Sequence, residues 1–117
     1  MPEEIVDNDQ LYRRLVSFHV NPDGTVNSAA FKRRGKPDNS ISVDLARLTT
    51  PQETLERSGK EGFGLGVLVA IEPRSQGFDV RHDPLPDNPA HSLIEGENNK
   101  RKCRLLAEAT TVIVPPG

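Results

Sequence analysis

The sequence predicts a single α+β domain in which a mostly antiparallel sheet of four to five short strands is packed by about two helices. The length of 117 residues is close to the commonest size of one domain. Several short segments alternate apolar with polar residues and are separated by turn residues, which is typical of antiparallel strands. Aromatic residues make up only 4% of the chain, so we expect a core of aliphatic side chains. We place the domain at residues 11–114 and expect acidic residues 1–10 to form a flexible N-terminus.

Two segments carry the signals of helices. Thr50 can cap a helix, Pro51 suits the first helical position, and Glu53 completes a capping box. We therefore predict a helix over 51–58. Apolar residues at helical spacing predict a second helix over 99–109.

Five segments are predicted to lie in or near strands. Residues 40–45 and 78–82 alternate apolar with polar positions, and 110–114 is rich in β-branched residues. The alternation at 16–20 also suits a strand, although a helical stripe fits the same stretch. The continuous apolar run at 67–71 predicts the central strand, buried on both faces.

Three other segments are assigned from local chemistry. Gly62, Gly64 and Gly66 open a strand rather than follow one, so they indicate a bulge or close backbone packing and not a phosphate-binding loop. Residues 73–77 are predicted to form a turn. Residues 91–96 fit a short helix or a strand.

Composition excludes several classes of protein. The single cysteine, Cys103, permits no intramolecular disulfide, so a disulfide-stapled secreted domain is excluded. No apolar run reaches the roughly 20 residues that span a bilayer, and the acidic start lacks the features of a signal peptide. We predict a cytoplasmic protein that has no membrane partner. The net charge of −2 neither requires nor forbids a nucleic-acid partner.

The loop between residues 82 and 91 holds the strongest candidate for catalysis. His82, Asp83 and His91 lie on a proline-stiffened segment, and a histidine pair can act as general acid and base near neutral pH. The alternative is that the carboxylate shapes a turn and both histidines are structural. No recognised metal-ligand spacing is present, so we predict no metal site and identify no cofactor.

Basic residues form three clusters along the chain. The candidate binding residues in these clusters are Arg13, Arg33, Arg34, Arg101 and Arg104. If folding brings the clusters to one face, they would contact phosphates. The alternative is a set of solvated loops and one solvated helix face.

One set of residues resembles a known family of enzymes. The order of Arg13, Ser42 and then Glu72 or Glu95 resembles that of ADP-ribosyltransferase-like domains. The resemblance implies that the arginine and the serine bind a nucleotide and that one glutamate steers the reaction. The alternative is a surface arginine and a polar strand face.

Two longer stretches, residues 42–51 and 82–91, resemble those of a family of small bacterial proteins that has no assigned activity. The resemblance implies no chemistry. The leading hypothesis is therefore a small bacterial accessory protein that acts by binding another macromolecule, with a protein as the first expected partner. The alternatives are a small enzyme directed at nucleotides or phosphoesters that uses the 82–91 loop, and an RNA- or DNA-binding module that uses the basic clusters.

Overall fold

A computed structural model describes residues 2–32 and 40–117 of the chain. Over those residues the chain forms six β-strands and three α-helices. The strands are β1 (Gln10–Leu15), β2 (Ser40–Leu45), β3 (Gly64–Val69), β4 (Asp79–His82), β5 (His91–Glu95) and β6 (Thr111–Val114). The helices are α1 (Pro51–Glu56), α2 (Ile71–Ser75) and α3 (Lys100–Glu108).

All six strands form one antiparallel sheet in the order β4-β5-β2-β1-β3-β6. The predicted α+β class and single compact domain are confirmed. The predicted count of four to five strands is too low. One reason is β5, whose sequence fits a short helix as well as a strand and which pairs with both β2 and β4.

One face of the sheet carries the hydrophobic core. Alternate positions of the strands point their apolar side chains to this face, as the period of a strand requires. Helix α3 and a short 3₁₀ helix, Ser28–Phe31, cover it. The core residues are Leu11, Leu15, Ile41, Val43, Leu45, Leu68, Val80, Ile94, Phe31, Cys103, Leu106 and Ala107.

The opposite face of the sheet is covered only in part. Helix α1 packs against β1 and β3 on this side. On the neighbouring strands Ser42, Asp79 and Arg81 are exposed. Strands β2, β5 and β4 therefore present a polar face to solvent.

Side chains cap two of the helices, and the cap by Thr50 is the one predicted. Thr50 Oγ1 accepts a hydrogen bond from the Glu53 amide at 3.1 Å, and the chain leaves the helix through Gly59, whose φ is +68°. Asn99 caps α3 by accepting from the Lys102 amide at 2.8 Å. The first helix ends at Glu56, slightly before the predicted 58.

Three local predictions are wrong. The strand predicted at 16–20 lies earlier, at β1, and Ser17–His19 forms a 3₁₀ helix. The central strand predicted at 67–71 is β3, which begins and ends earlier, lies fifth of six in the sheet, and leaves Val67 and Val69 only half-buried. The turn predicted at 73–77 is largely the five-residue helix α2, where Pro73 occupies an early position whose amide needs no helical partner.

The glycine-rich start of β3 packs tightly against the chain end, as predicted. A Cβ on Gly64 would lie 2.5 Å from the Pro116 nitrogen and 2.5 Å from the Val114 oxygen. The pairing with β6 also shifts register between Leu65 and Gly66. Glycine is required here because only a residue without Cβ allows the two backbones to approach so closely.

The acidic N-terminal segment contacts the domain. Ile5 is buried, its carbonyl accepts a hydrogen bond from Arg74 Nη2 at 2.6 Å, and the Glu3 amide donates to His82 Nδ1 at 2.7 Å. The flexibility expected of residues 1–10 stays a prediction. None of the helices within residues 2–32 and 40–117 has the length and apolar character needed to cross a bilayer.

Candidate functional site

His82 is buried and both of its ring nitrogens are engaged. Nδ1 accepts a hydrogen bond from the Glu3 amide at 2.7 Å, and Nε2 lies 2.6 Å from the Pro89 carbonyl oxygen. Because an amide only donates and a carbonyl only accepts, the proton of the neutral ring is on Nε2. The side chain therefore connects the N-terminal segment to the 82–91 loop.

His91 lies at the start of β5 on the polar face of the sheet. Its Nδ1 is 3.0 Å from the Asp83 carbonyl oxygen and 3.2 Å from Asp83 Oδ2, and its Nε2 is 3.3 Å from Ser42 Oγ. Both partners of Nδ1 are acceptors, so Nδ1 carries the proton of the neutral ring. Nε2 therefore holds the lone pair, and it faces the serine hydroxyl.

The carboxylate of Asp83 lies between two partners. Its Oδ2 faces His91, and its Oδ1 is 3.4 Å from Arg81 Nη1. The pKa of Arg81 is raised above its ordinary value, first by the hydrogen bond to Glu95 and to a smaller extent by Asp83. The arginine thus holds the aspartate in place on the side away from the imidazole.

The loop that carries these residues is held by a buried carboxylate of β2. Asp44 accepts hydrogen bonds from Thr54 Oγ1 at 2.8 Å, Arg57 Nη1 at 3.0 Å and Asn88 Nδ2 at 2.9 Å. The Asn88 carbonyl also accepts from the His91 amide at 3.2 Å. These bonds connect α1, β2 and the loop, so the position of His91 is set before any ligand arrives.

The structure brings together only part of the predicted catalytic group. His82 and His91 point to opposite faces of the sheet, because His82 lies opposite Ser92 and the next residue of a strand faces the other way. His91 and Asp83 are adjacent, and Ser42 joins them from β2. This third member was missed as a partner of the histidine because 49 residues separate the two along the chain.

A small cleft opens beside Ser42. Its volume is about 40 Å³, and its walls include Tyr12, Arg13, Arg14 and His91. The guanidinium of Arg13 lies on the other face of the sheet, the one that carries the core. There it donates from Nη1 to the Ser42 carbonyl at 2.8 Å and from Nε to the Ala30 carbonyl at 3.0 Å. Burial, together with the charge of Arg14, lowers the pKa of Arg13 to about 10.

A much larger cleft lies beside α3. It has a volume of about 800 Å³ and is bounded by the helix and the 21–28 loop. Three cationic side chains, Lys100, Arg101 and Arg104, line it together with one carboxylate, Glu108. All four residues are exposed.

The three cations of this cleft have no partner among the residues that the structure describes. Within residues 2–32 and 40–117, Lys100, Arg101 and Arg104 have no hydrogen-bond, ion-pair or ring partner. Their neighbour Lys102 differs, because its Nζ donates to the Glu97 carbonyl at 2.9 Å and lies 5.0 Å from the centre of the Phe78 ring. The helix thus directs one cation inward to the fold and three to the cleft.

The other predicted binding residues have different positions. Arg13 makes the contacts of β1 described above and does not line the basic cleft. Arg33 and Arg34 lie outside the described residues. Lys32 lies just before them. Its positive charge lowers the pKa of the Cys103 thiol on α3, whereas burial raises that pKa by more.

The two glutamates of the nucleotide-transfer resemblance lie on different elements, and only Glu95 is on a strand that pairs with the strand of Ser42. Glu72 is on α2, and Glu95 is at the end of β5, where it pairs with Arg81. Among the described residues, no group of three or more His, Cys, Asp or Glu side chains is placed to hold a metal ion.

Comparisons of the chain with protein families, with curated proteins and with solved structures find no match. The support for a function is therefore the geometry of the two clefts.

Proposed function

We propose that this protein acts by binding another macromolecule, and that the macromolecule is a nucleic acid held by its phosphate backbone in the basic cleft. The observation that carries the proposal is the convergence of Lys100, Arg101 and Arg104, all without partners in the described part of the chain, on one cleft of about 800 Å³. Phosphate contacts from Lys and Arg supply most of the sequence-independent affinity for nucleic acids.

The positions of the three cations add a second argument. The first turn of α3 contains Lys100 and Arg101 and no acidic residue. A helix N-terminus carries a partial positive charge, so cations there cost the isolated domain about 0.3–1 kcal/mol each. A bound phosphate reverses this cost, because it is attracted by the side chains and by the helix end together. Natural sequences break such local rules mainly where function requires it.

The side chains that line the cleft favour contacts with the phosphate backbone of a nucleic acid over contacts with its bases. Asn21, Thr25, Asn27 and Ser28 supply short polar groups on the wall opposite the helix. The Ser28 hydroxyl can donate to a phosphate or sugar oxygen, whereas the donors of the other three side chains already bond within the fold. Among the described residues that line the cleft none is aromatic, so we expect weak dependence on base sequence and no strong preference for single strands.

The experiment measures fluorescence anisotropy of a labelled duplex DNA and of a labelled single-stranded RNA as the protein is added. Arg104→Gln should weaken binding to both probes and reduce the slope of log K against log salt by about 1, the value for one lost phosphate contact. The control is Lys60→Gln, which removes the same charge from an exposed side chain on the α1 side of the protein.

Two outcomes would contradict the proposal. The first is no binding of either probe at low salt. The second is equal weakening by Arg104→Gln and Lys60→Gln, because the net charge of the protein would then decide binding and the cleft would not.

A protein partner is the second candidate, supported by the open edge of the sheet. Within residues 2–32 and 40–117, strand β6 pairs on one side only, with β3, and Ile113 on it is 43% exposed. An exposed strand edge can accept a strand from a partner. The edge is only four residues long and ends at Pro115, which limits the pairing it offers. Size-exclusion chromatography with light scattering of wild type and Ile113→Lys tests self-association through this edge.

A further inference from the structure

Three side chains, two on strands and one just after a strand, form a continuous hydrogen-bonded row on the polar face of the sheet. Asp83 follows β4, His91 begins β5, and Ser42 lies in β2. The distances along the row are 3.2 Å from Asp83 Oδ2 to His91 Nδ1 and 3.3 Å from His91 Nε2 to Ser42 Oγ. Nucleophile, base and orienting carboxylate have this arrangement in serine hydrolases, where it is recognised by geometry and roles rather than by sequence position.

The tautomer of His91 determines which group donates and which accepts at each hydrogen bond of the row. The Asp83 carbonyl and carboxylate both accept from Nδ1, so the lone pair of the neutral ring is on Nε2 and faces the Ser42 hydroxyl. The imidazole is 16% exposed, whereas Ser42 is exposed. The base is therefore shielded while the oxygen that would react is open to solvent.

We propose that Ser42 is the nucleophile of an acyl-transfer centre that acts on carboxylic esters, with His91 as its general base and Asp83 as the residue that positions the imidazole. Arg14 lines the cleft beside Ser42 and His91. It has no hydrogen-bond or ion-pair partner in the described part of the chain and lies over the Phe63 ring. We assign to Arg14 the stabilisation of the oxyanion that forms on the substrate, a role that cationic side chains can fill.

The reaction balances with groups that are present and with water. The Ser42 hydroxyl gives its proton to His91 Nε2 as the Oγ–C bond forms, and the carbonyl π electrons move to the oxygen. The C–O bond to the alcohol then breaks, and the alcohol leaves with the proton from Nε2. Water next gives a proton to Nε2 and attacks the acyl carbon, and Ser42 Oγ leaves with that proton. The net change is hydrolysis of an ester to an acid and an alcohol.

This centre is separate from the nucleic-acid proposal. Ser42 and His91 lie on the polar face of the sheet, whereas α3 covers the core face. Variants of one site can therefore be tested without changing the other.

The test incubates the full chain with a fluorophosphonate probe and follows the intact mass, with peptide mapping to locate the adduct. In this reaction Ser42 Oγ bonds to phosphorus, fluoride leaves, and His91 takes the proton. We expect one adduct on Ser42, none in Ser42→Ala, and normal labelling in Ser40→Ala, a control on the same strand and the same face. His91→Gln should slow labelling by about 100-fold or more, the usual contribution of a general base.

Asp83→Asn distinguishes positioning from a structural role. Its backbone carbonyl still accepts from His91 Nδ1, so the fold should be kept and the labelling rate should fall between those of wild type and His91→Gln. The proposal is overturned if the wild type is not labelled, if the adduct lies on another residue, or if His91→Gln is labelled at the wild-type rate.

Discussion

His82 and His91 use Nδ1 in opposite ways: His82 accepts there from the Glu3 amide, whereas His91 donates from Nδ1 to Asp83. The two residues bound the same loop, yet their side chains lie on opposite faces of the sheet. One ring is a buried connector with both nitrogens engaged by backbone groups. The ring of His91 instead directs the lone pair of Nε2 to the Ser42 hydroxyl.

The tautomers are the first prediction. Long-range ¹H–¹⁵N correlation spectra at a pH where both rings are neutral should show the proton on Nε2 of His82 and on Nδ1 of His91, because each has a partner that can play only one role. Assignment comes from His82→Gln and His91→Gln. Finding His91 with its proton on Nε2 would remove the base from the proposed acyl-transfer centre.

The second prediction concerns the buried carboxylate of β2. Asp44→Ala should lower the free energy of unfolding by about 2 to 3 kcal/mol, because Thr54, Arg57 and Asn88 all lose an acceptor in a poorly solvated region. Urea denaturation measures the change. The control is Asp79→Ala at an exposed position of β4, where we expect less than about 0.5 kcal/mol. Equal effects would contradict the role of Asp44 as the residue that connects α1 to the loop.

The N-terminal segment gives a prediction for acid stability. The hydrogen bond and charge of Arg47 hold the pKa of Glu3 below its ordinary value of 4.5. A carboxyl group with a lowered folded-state pKa stabilises the protein above its unfolded pKa, and this contribution is lost as the pH falls through the folded value. Glu3→Gln should therefore melt below the wild type at neutral pH, and the difference should close as the pH falls below about 4.5. The control is Glu72→Gln, which removes the same charge at an exposed position of α2 without removing a contact to Arg47.

Cys103 provides a prediction about reactivity. Its side chain is 3% exposed and burial raises the pKa of its thiol. Because the thiolate is the reactive form, alkylation by iodoacetamide should be at least about 10-fold slower in the folded protein than in urea. Above the ordinary pKa of the thiol, 9.0, it ionises first in the unfolded protein. The free energy of unfolding should therefore fall as the pH rises through that value. Equal alkylation rates with and without urea would show that α3 does not cover this face of the sheet.

The parts of the fold that the sequence predicts are those set by neighbouring residues. The cap at Thr50 and the apolar stripe around Cys103 act within one or two turns, so both of the predicted helices are found where expected. Strand β1 was misplaced because Arg13 interrupts its alternation, lying between buried Leu11 and Leu15 on the face that carries the core. Its guanidinium is accommodated there by carbonyls from two other segments, which no local pattern reveals.

The residues of the candidate sites also fall into two groups, those placed by a local element and those placed by strand register. Arg101 and Arg104 were identified from a local cluster, because the helix that presents them is itself a local element. The pairing of His91 with Ser42 depends on the register between β2 and β5, which places residues far apart in the chain side by side. The separation of His82 from His91 depends equally on register, so two histidines on one loop were expected to act together.

The measurement that tests nucleic-acid binding most directly is an amide ¹H–¹⁵N titration of the labelled protein with a short duplex DNA at low salt. If the basic cleft holds the phosphate backbone, the largest shift changes should fall on α3 residues 100–104 and on the facing wall at Asn27 and Ser28, and they should fade as salt is added. Shift changes confined to β6, to the polar face around Ser42, or spread evenly over the surface would contradict binding in the cleft.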